Sequence, residues 1–330
     1  MSKSVIYIAL TALMLVCTNS AVAAEPIVIK FSHVVADDTP KGRGGLLFKQ
    51  LVEERLGDKV KVEVYPNSTL FGDDDELQAL RDGKVQLLAP SLSKFDAYTK
   101  QLQVYDLPFL FDDLEAVKRF QKREKSRELL RSMAAYDIYG LAYWNNGMKQ
   151  LSANRALKLP ADAKGLAFRI QPSPVLEAQF AQIGATTSKI AFSETLAALQ
   201  KGTVQGAENP WSNLASQKLD SAQPFITETN HGSLNYMLIS NSKFWVSIPY
   251  QVRTQLEAII EEVSFKVNQD AEELNRKSRE QIAAAGRAQI LTLTPEQREA
   301  WREAMRPVWQ RFEAEIGADV LRAAQTVNRR

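Results

Sequence analysis

The sequence predicts an α/β protein of two similar lobes followed by a helical tail. Three observations carry the prediction. Strand-like and helix-like segments alternate in two separate blocks, 26–91 and 166–210. The blocks share an echo: LQALRDGKVQ (77–86) and LAALQKGTVQ (196–205) agree at both leucines, the third-position alanine, the glycine, the valine and the glutamine. Finally, the stretch 249–286 has no internal proline or glycine, which at 1.5 Å per residue is about 50 Å of helix.

The elements follow in order. MSK supplies a positive charge, SVIYIALTALMLVC an apolar run and AVAAEP small residues at a cleavage site, the layout of a secretory signal peptide over 1–24. Cleavage after Ala24, with Ala23 as the alternative, leaves a mature start near Glu25. The apolar run is short for a membrane span. Cys17 follows Val16 where a lipidation motif wants a small residue. PIVIKFSHV (26–34) reads as a buried strand, 40–57 as a helix closed by Gly57, and KVKVEVYP (59–66) as a half-exposed strand. DDDELQALRDG (73–83) has acids at its start and Gly83 at its end, as the helix dipole and C-cap favour. VQLLAPS (85–91) is a short strand. This β-α-β-α-β order implies a mostly parallel sheet.

In the second block LAFRIQP (166–172) is a strand and PVLEAQFAQIG (174–184) a helix ended by Gly184. SETLAALQKG (193–202) is a helix with Ser193 as N-cap and Gly202 as stop, and TVQGAENP (203–210) follows. The echo aligns the strand ends APS (89–91) and ENP (208–210). Ligands of open α/β sheets bind beyond the carboxyl ends of strands, so Ser91 and Asn209 should face each other across a cleft. The apolar positions of 249–286 break heptad order over 266–285, which favours a scaffold helix over a coiled coil. Residues 294–317 add one or two helices, with Thr294 and Gln297 in a capping-box pattern.

Composition removes several function classes. The chain has 330 residues, 45% hydrophobic and 24% charged, enough for one large or two ordinary domains. A formal net charge of +2 provides no broad basic field for nucleic acid. Cys17 is the only cysteine, so the mature chain has no disulfide, thiol nucleophile or cysteine metal site. The two histidines, His33 and His231, have no partner at metal-ligand spacing. No GxSxG, Walker or GxGxxG loop occurs. No cofactor or metal is expected, and an exported binding protein is favoured over a secreted enzyme, for which no nucleophile–base pair can be assembled.

GLAFRIQPSPV (165–175) poses the sharpest question, because its Arg169 sits among apolar and small residues. Either a local acid such as Glu177 pairs with it, or a ligand does. FRIQPSPV, AFSETLAALQKGTVQGAENPWSN and TNHG together resemble the solute-binding proteins of tripartite ATP-independent periplasmic (TRAP) transporters, most of all the DctP-like, four-carbon dicarboxylate branch. The resemblance spans the mature chain from IKFSH to the terminal helices.

It implies a two-lobed periplasmic solute-binding fold, with a ligand cleft between the lobes and a long helix spanning both. Lobe one would be 25–146 plus 235–272, and lobe two 147–234 plus 273–330. The implied function is capture of succinate, malate or fumarate in the periplasm by a monomer, and delivery to the small and large membrane subunits of a permease. A monocarboxylate, keto acid or aromatic acid is the alternative cargo, and sensing without transport the alternative role. The family's carboxylate-holding arginine falls on Arg169 and its clamp asparagine on Asn209, although Asn209 is also a turn residue before Pro210. A second cation falls on Lys149, where sialic-acid relatives carry arginine. Those relatives also have a glutamate near Ser91. Both differences favour a smaller ligand here. Ala207 replaces a polar residue of many relatives. Lys41 or His33 would meet the distal carboxylate, each with a purely structural alternative. Trp144, Phe192, Trp211 and Tyr236 are wall or core aromatics, and His231 is read as structural.

Overall fold

The computed structural model describes residues 25–328; the segment read as a signal peptide, with Cys17, lies outside the described residues. Among the described residues eleven strands form two sheets. They are β1 Ile27–Ser32, β2 Val60–Tyr65, β3 Leu87–Leu88, β4 Ile138–Met148, β5 Gln150–Ala153, β6 Ala167–Ile170, β7 Thr186–Lys189, β8 Gly206–Asn209, β9 Phe225–Glu228, β10 Ser233–Asn241 and β11 Gln289–Thr292. The first sheet runs β2-β1-β3-β10-β4 and the second β11-β9-β5-β8-β6-β7. Parallel pairing of β1 with β2 and β3 is as the opening β-α-β-α-β order predicts. β10 then enters antiparallel to both β3 and β4, so the first sheet is mixed.

The sequence echo is a structural repeat. Helix Glu76–Arg81 and helix Thr195–Gln200 each end in a left-handed glycine, Gly83 at φ 74° and Gly202 at φ 70°. A Cβ at that φ is strained, which is why both turns carry glycine. The matching glutamines do matching work. Gln86 Nε2 donates to the Gly83 carbonyl at 3.0 Å, and Gln86 Oε1 accepts from Lys30 N at 3.1 Å. Gln205 Nε2 donates to the Gly202 carbonyl at 2.9 Å, and Gln205 Oε1 accepts from Ala167 N at 2.9 Å. Each glutamine therefore ties its turn to the strand that opens its own repeat block, β1 or β6. One local expectation fails. Ser193 does not cap its helix; Glu194 stands at the cap without a side-chain bond, and Ser193 lies in a 3₁₀ turn Phe192–Glu194.

The long helix spans Tyr250–Ala285 and ends at Gly286, φ 64°. It packs on helix Pro40–Leu56 and β4 of the first lobe and on helix Trp211–Ser216 of the second. Its polar residues fix that course. Ser264 Oγ accepts from Trp144 Nε1 at 2.7 Å. Asn275 Nδ2 donates to the Asn146 carbonyl and its Oδ1 accepts from Ser212 N, which joins the crossing strand to the second lobe. The tail forms Pro295–Met305 and Pro307–Ile316, with the Thr294–Gln297 capping box made in both directions, and a third helix Ala318–Gln325. Helix Pro307–Ile316 packs on helix Pro174–Gln182 and on 101–106, so the tail braces both lobes rather than the second alone. Among the described residues no helix is long and apolar enough to cross a membrane.

Candidate functional site

The strand ends of both sheets converge on one cavity. It is lined by Lys41, Asp73, Glu76, Ser91 and Tyr236 from the first lobe and by Arg169, Gln171, Phe192, Asn209 and Asn213 from the second. Its free volume is about 20 Å³, room for about one water, so the lobes are closed on each other. Side-chain bonds cross the closed cleft: among them, Ser91 Oγ donates to Gln171 Oε1 at 2.9 Å, and the Phe192 backbone N–H donates to Asp73 Oδ2 at 2.6 Å.

Sheet register explains the second lobe's contribution. β6 and β8 are parallel neighbours with Arg169 beside Ala207. Side chains two positions apart on a strand share a face. Arg169, Gln171, Ala207 and Asn209 therefore share one face, and the small Ala207 leaves space for the guanidinium. Arg169 Nε donates to the Ile190 carbonyl at 2.8 Å, and its guanidinium lies 5.8 Å from the Phe192 ring centroid. Among the described residues no carboxylate comes within ion-pair distance of it. Glu177, the local candidate, pairs with Lys189 instead at 2.5 Å. Burial lowers the Arg169 pKa, and Asp73 and Glu208 act weakly against that from further off. Beside it, Asn209 Nδ2 is buried without an acceptor among the described residues. Two strong donors thus meet at one point with unused capacity.

The first lobe supplies Lys41. Thr39 caps the helix by accepting from Gly42 N at 3.2 Å, and a Cβ on Gly42 would lie 2.2 Å from the Ala36 carbonyl oxygen, so glycine lets the helix start this close to its own loop. That geometry sends Lys41 inward. Its Nζ donates to the Ala89 carbonyl at 3.0 Å and sits 3.9 Å from the Tyr236 ring centroid. No acid pairs with it among the described residues, and burial lowers its pKa to about 8. The acids of the cavity are engaged elsewhere. Lys94 Nζ bonds Asp73 Oδ1 at 3.0 Å and also bonds Glu76. Burial raises the Glu76 pKa, whereas Lys94 and the Phe192 N–H outweigh burial at Asp73 and lower it.

Four expected site residues lie elsewhere. Lys149 does not reach the cavity: its Nζ bonds Glu208 Oε1 at 2.7 Å. Glu208 Oε2 also accepts from Gln179 Nε2 at 2.8 Å and meets His231 Nε2 at 2.8 Å. These partners overcome the burial of Glu208 and lower its pKa to about 2. His33 is wholly buried behind the cavity wall, both ring nitrogens without partners among the described residues, and burial with the nearby Lys41 charge lowers its pKa to about 3. Trp144 is core, packed at a tilt against Phe31 and bonded to the long helix. Trp211 lies outside the cavity, under the Arg279 guanidinium at 5.7 Å. His231 is structural: a neutral ring fits if Nε2–H donates to Glu208 and Nδ1 accepts from Thr229 Oγ1.

Gln171, Asn213, Asp73 and Glu76 line the cavity without having been named from the sequence. Gln171 was legible, two residues beyond Arg169 on the same strand. Asp73 and Glu76 were hidden in an acidic run that reads equally as a helix start.

Residues 31–315 match the family described as bacterial extracellular solute-binding protein, family 7, DctP. The chain is 46% identical over its full length, and the relative's, to the C4-dicarboxylate-binding periplasmic protein DctP of Vibrio cholerae. It is similar to the crystal structure of a TRAP periplasmic solute-binding protein from Pseudomonas aeruginosa with bound L-malate: 70% identity, TM-score 0.86, covering 87% of this chain and 100% of that one. A TRAP solute-binding protein from Shewanella oneidensis with bound succinate gives 49% identity and TM-score 0.91, over 92% and 100% of the two chains.

Proposed function

Because the chain belongs to family 7 of the bacterial extracellular solute-binding proteins, we propose that it captures a four-carbon dicarboxylate between its lobes and hands it to a TRAP permease in the membrane. One observation carries the reading. A buried arginine with no carboxylate partner among the described residues stands beside a buried, unpaired asparagine amide. A planar guanidinium fork matches a carboxylate, and a neighbouring amide N–H adds a second donor. Arg169 and Asn209 hold the proximal carboxylate in this reading. Lys41 holds the distal one, with Ser91 and Gln171 beside it and Phe192 and Tyr236 as walls. A second cation in the same cavity favours a dicarboxylate over a monocarboxylate.

Entry requires the lobes to part, and the acid then replaces the contacts that hold the cleft shut. Export through a cleaved signal peptide over residues 1–24 would place the protein in the periplasm, where its relatives are named as residing. We take the lobes as 25–146 plus 235–272 and 147–234 plus 273–330, in keeping with strand crossings at 148–150 and 228–233.

A thermal-shift panel tests the cargo. A ligand that binds only the folded state raises apparent stability by RT ln(1 + [L]/Kd). Succinate, malate or fumarate should raise the melting temperature, whereas butyrate and neutral sugars should leave it unchanged. No shift with any four-carbon dicarboxylate, alongside a shift with a keto or aromatic monocarboxylate, would refute the reading.

A further inference from the structure

Asp73 is an acid in a cavity built for an acid. Its carboxylate lines the same space as Arg169 and Asn209. Oδ1 accepts from Lys94 Nζ at 3.0 Å and Oδ2 from the Phe192 N–H at 2.6 Å. Each oxygen of an ionised carboxylate can accept more than one hydrogen bond, so acceptor capacity remains on both. Lys94 from its own lobe and Arg169 from the other hold Asp73 ionised, and among the described residues Glu76 is the one other acid that lines the cavity. An ionised acceptor repels a ligand carboxylate. It can engage only a donor.

Among groups that a small dicarboxylate carries, a hydroxyl is the donor that adds no charge. An ammonium would also donate, but it would enter a space already flanked by Arg169, Lys41 and Lys94. We propose that Asp73 reads a hydroxyl on the carbon next to the Arg169-held carboxylate, so that the protein prefers a 2-hydroxy dicarboxylate to the unsubstituted acid. The inference rests on the dicarboxylate reading above. It also disfavours a tricarboxylate, whose third carboxylate would face Asp73 and Glu76.

Calorimetric titration of L-malate and succinate into the wild type and Asp73→Ala provides the test. The readout is the ratio of the two affinities, because general damage to the cleft weakens both acids alike. A hydrogen bond to a charged group is worth about tenfold or more, and a site built to bond a hydroxyl rejects the analogue that lacks it. The wild type should favour malate by about tenfold or more, and Asp73→Ala should bring the ratio close to one. If Asp73→Ala does not fold, Asp73→Asn, which keeps the shape and loses the charge, should narrow the ratio. Tight binding of both acids with a wild-type ratio near one, or a ratio unchanged in the variants, would overturn this inference alone. Failure of both acids to bind the wild type would overturn the dicarboxylate reading and this inference with it.

Discussion

Replacing Lys41 with methionine keeps the buried stem and removes the charge. Of the three donors on Nζ, one is spent on the Ala89 carbonyl at 3.0 Å and one faces the Tyr236 ring at 3.9 Å, which leaves a third for a ligand. One charged hydrogen bond contributes about 1.5–3 kcal/mol, so Lys41→Met should weaken succinate by roughly ten- to 150-fold and leave the weak binding of butyrate unchanged. Stability should move the other way. The Lys41 pKa is depressed from 10.5 to about 8, so between those values the unfolded chain binds the extra proton and stability rises with pH. Below pH 8 the buried ammonium costs about 3 kcal/mol, at about 1.4 kcal/mol per unit. Lys41→Met should therefore melt higher at pH 7, less the lost bond to Ala89. Binding has its own pH signature: a dianion needs the ammonium, so succinate affinity should fall as pH rises through about 8. Calorimetric titration from pH 6.5 to 9.5 measures both arms. Wild-type succinate affinity in Lys41→Met, or a flat pH profile in the wild type, would refute this role.

Arg169→Lys keeps the charge and loses the fork, so succinate affinity should fall by about tenfold or more, while the melting temperature changes little because only the Ile190 carbonyl loses a partner. Lys149→Met leaves the buried Glu208 carboxylate without its ammonium and should cost about 3–5 kcal/mol in urea unfolding. The Glu208 pKa is depressed from 4.5 to about 2, so its contribution of about 3 kcal/mol is present above pH 4.5 and lost as pH falls towards 2; Glu208→Gln should flatten that limb of the acid-unfolding curve. X-ray scattering should show a smaller radius of gyration in succinate-saturated protein than in the ligand-free form.

Much of this architecture was legible because local chemistry and global topology agree. The glycine turns and strand-tying glutamines of 77–86 and 196–205 left a sequence echo, and the long helix announced itself by lacking breakers. The β4–β10 pair was not legible. AYWNNGM carries asparagines and glycine that read as loop residues, yet partners distant in sequence satisfy them: Asn146 Nδ2 donates to Asn213 Oδ1 at 2.7 Å, and Asn145 N donates to Asn268 Oδ1 at 2.7 Å. The same cause misplaced Lys149. Its partner Glu208 lies next to Asn209 in the ENP motif, and only tertiary structure shows that the two strands pair, Gln150 with Asn209. Arg169 and Asn209 were named through the resemblance carried by FRIQPSPV and ENP; that β6 and β8 are adjacent parallel strands with both residues on one face appears only in the structure.

In the proposed binding mode one acid bridges Arg169 and Lys41 across the closed cleft. Calorimetric titration of succinate into the wild type, Arg169→Ala, Lys41→Met and the double variant measures that bridge directly. The expected result is one site per chain, a loss of affinity in each single variant, and a double variant whose loss falls short of the two single losses combined, because a carboxylate freed at one end no longer holds the other end in place. Wild-type affinity in Arg169→Ala would contradict it.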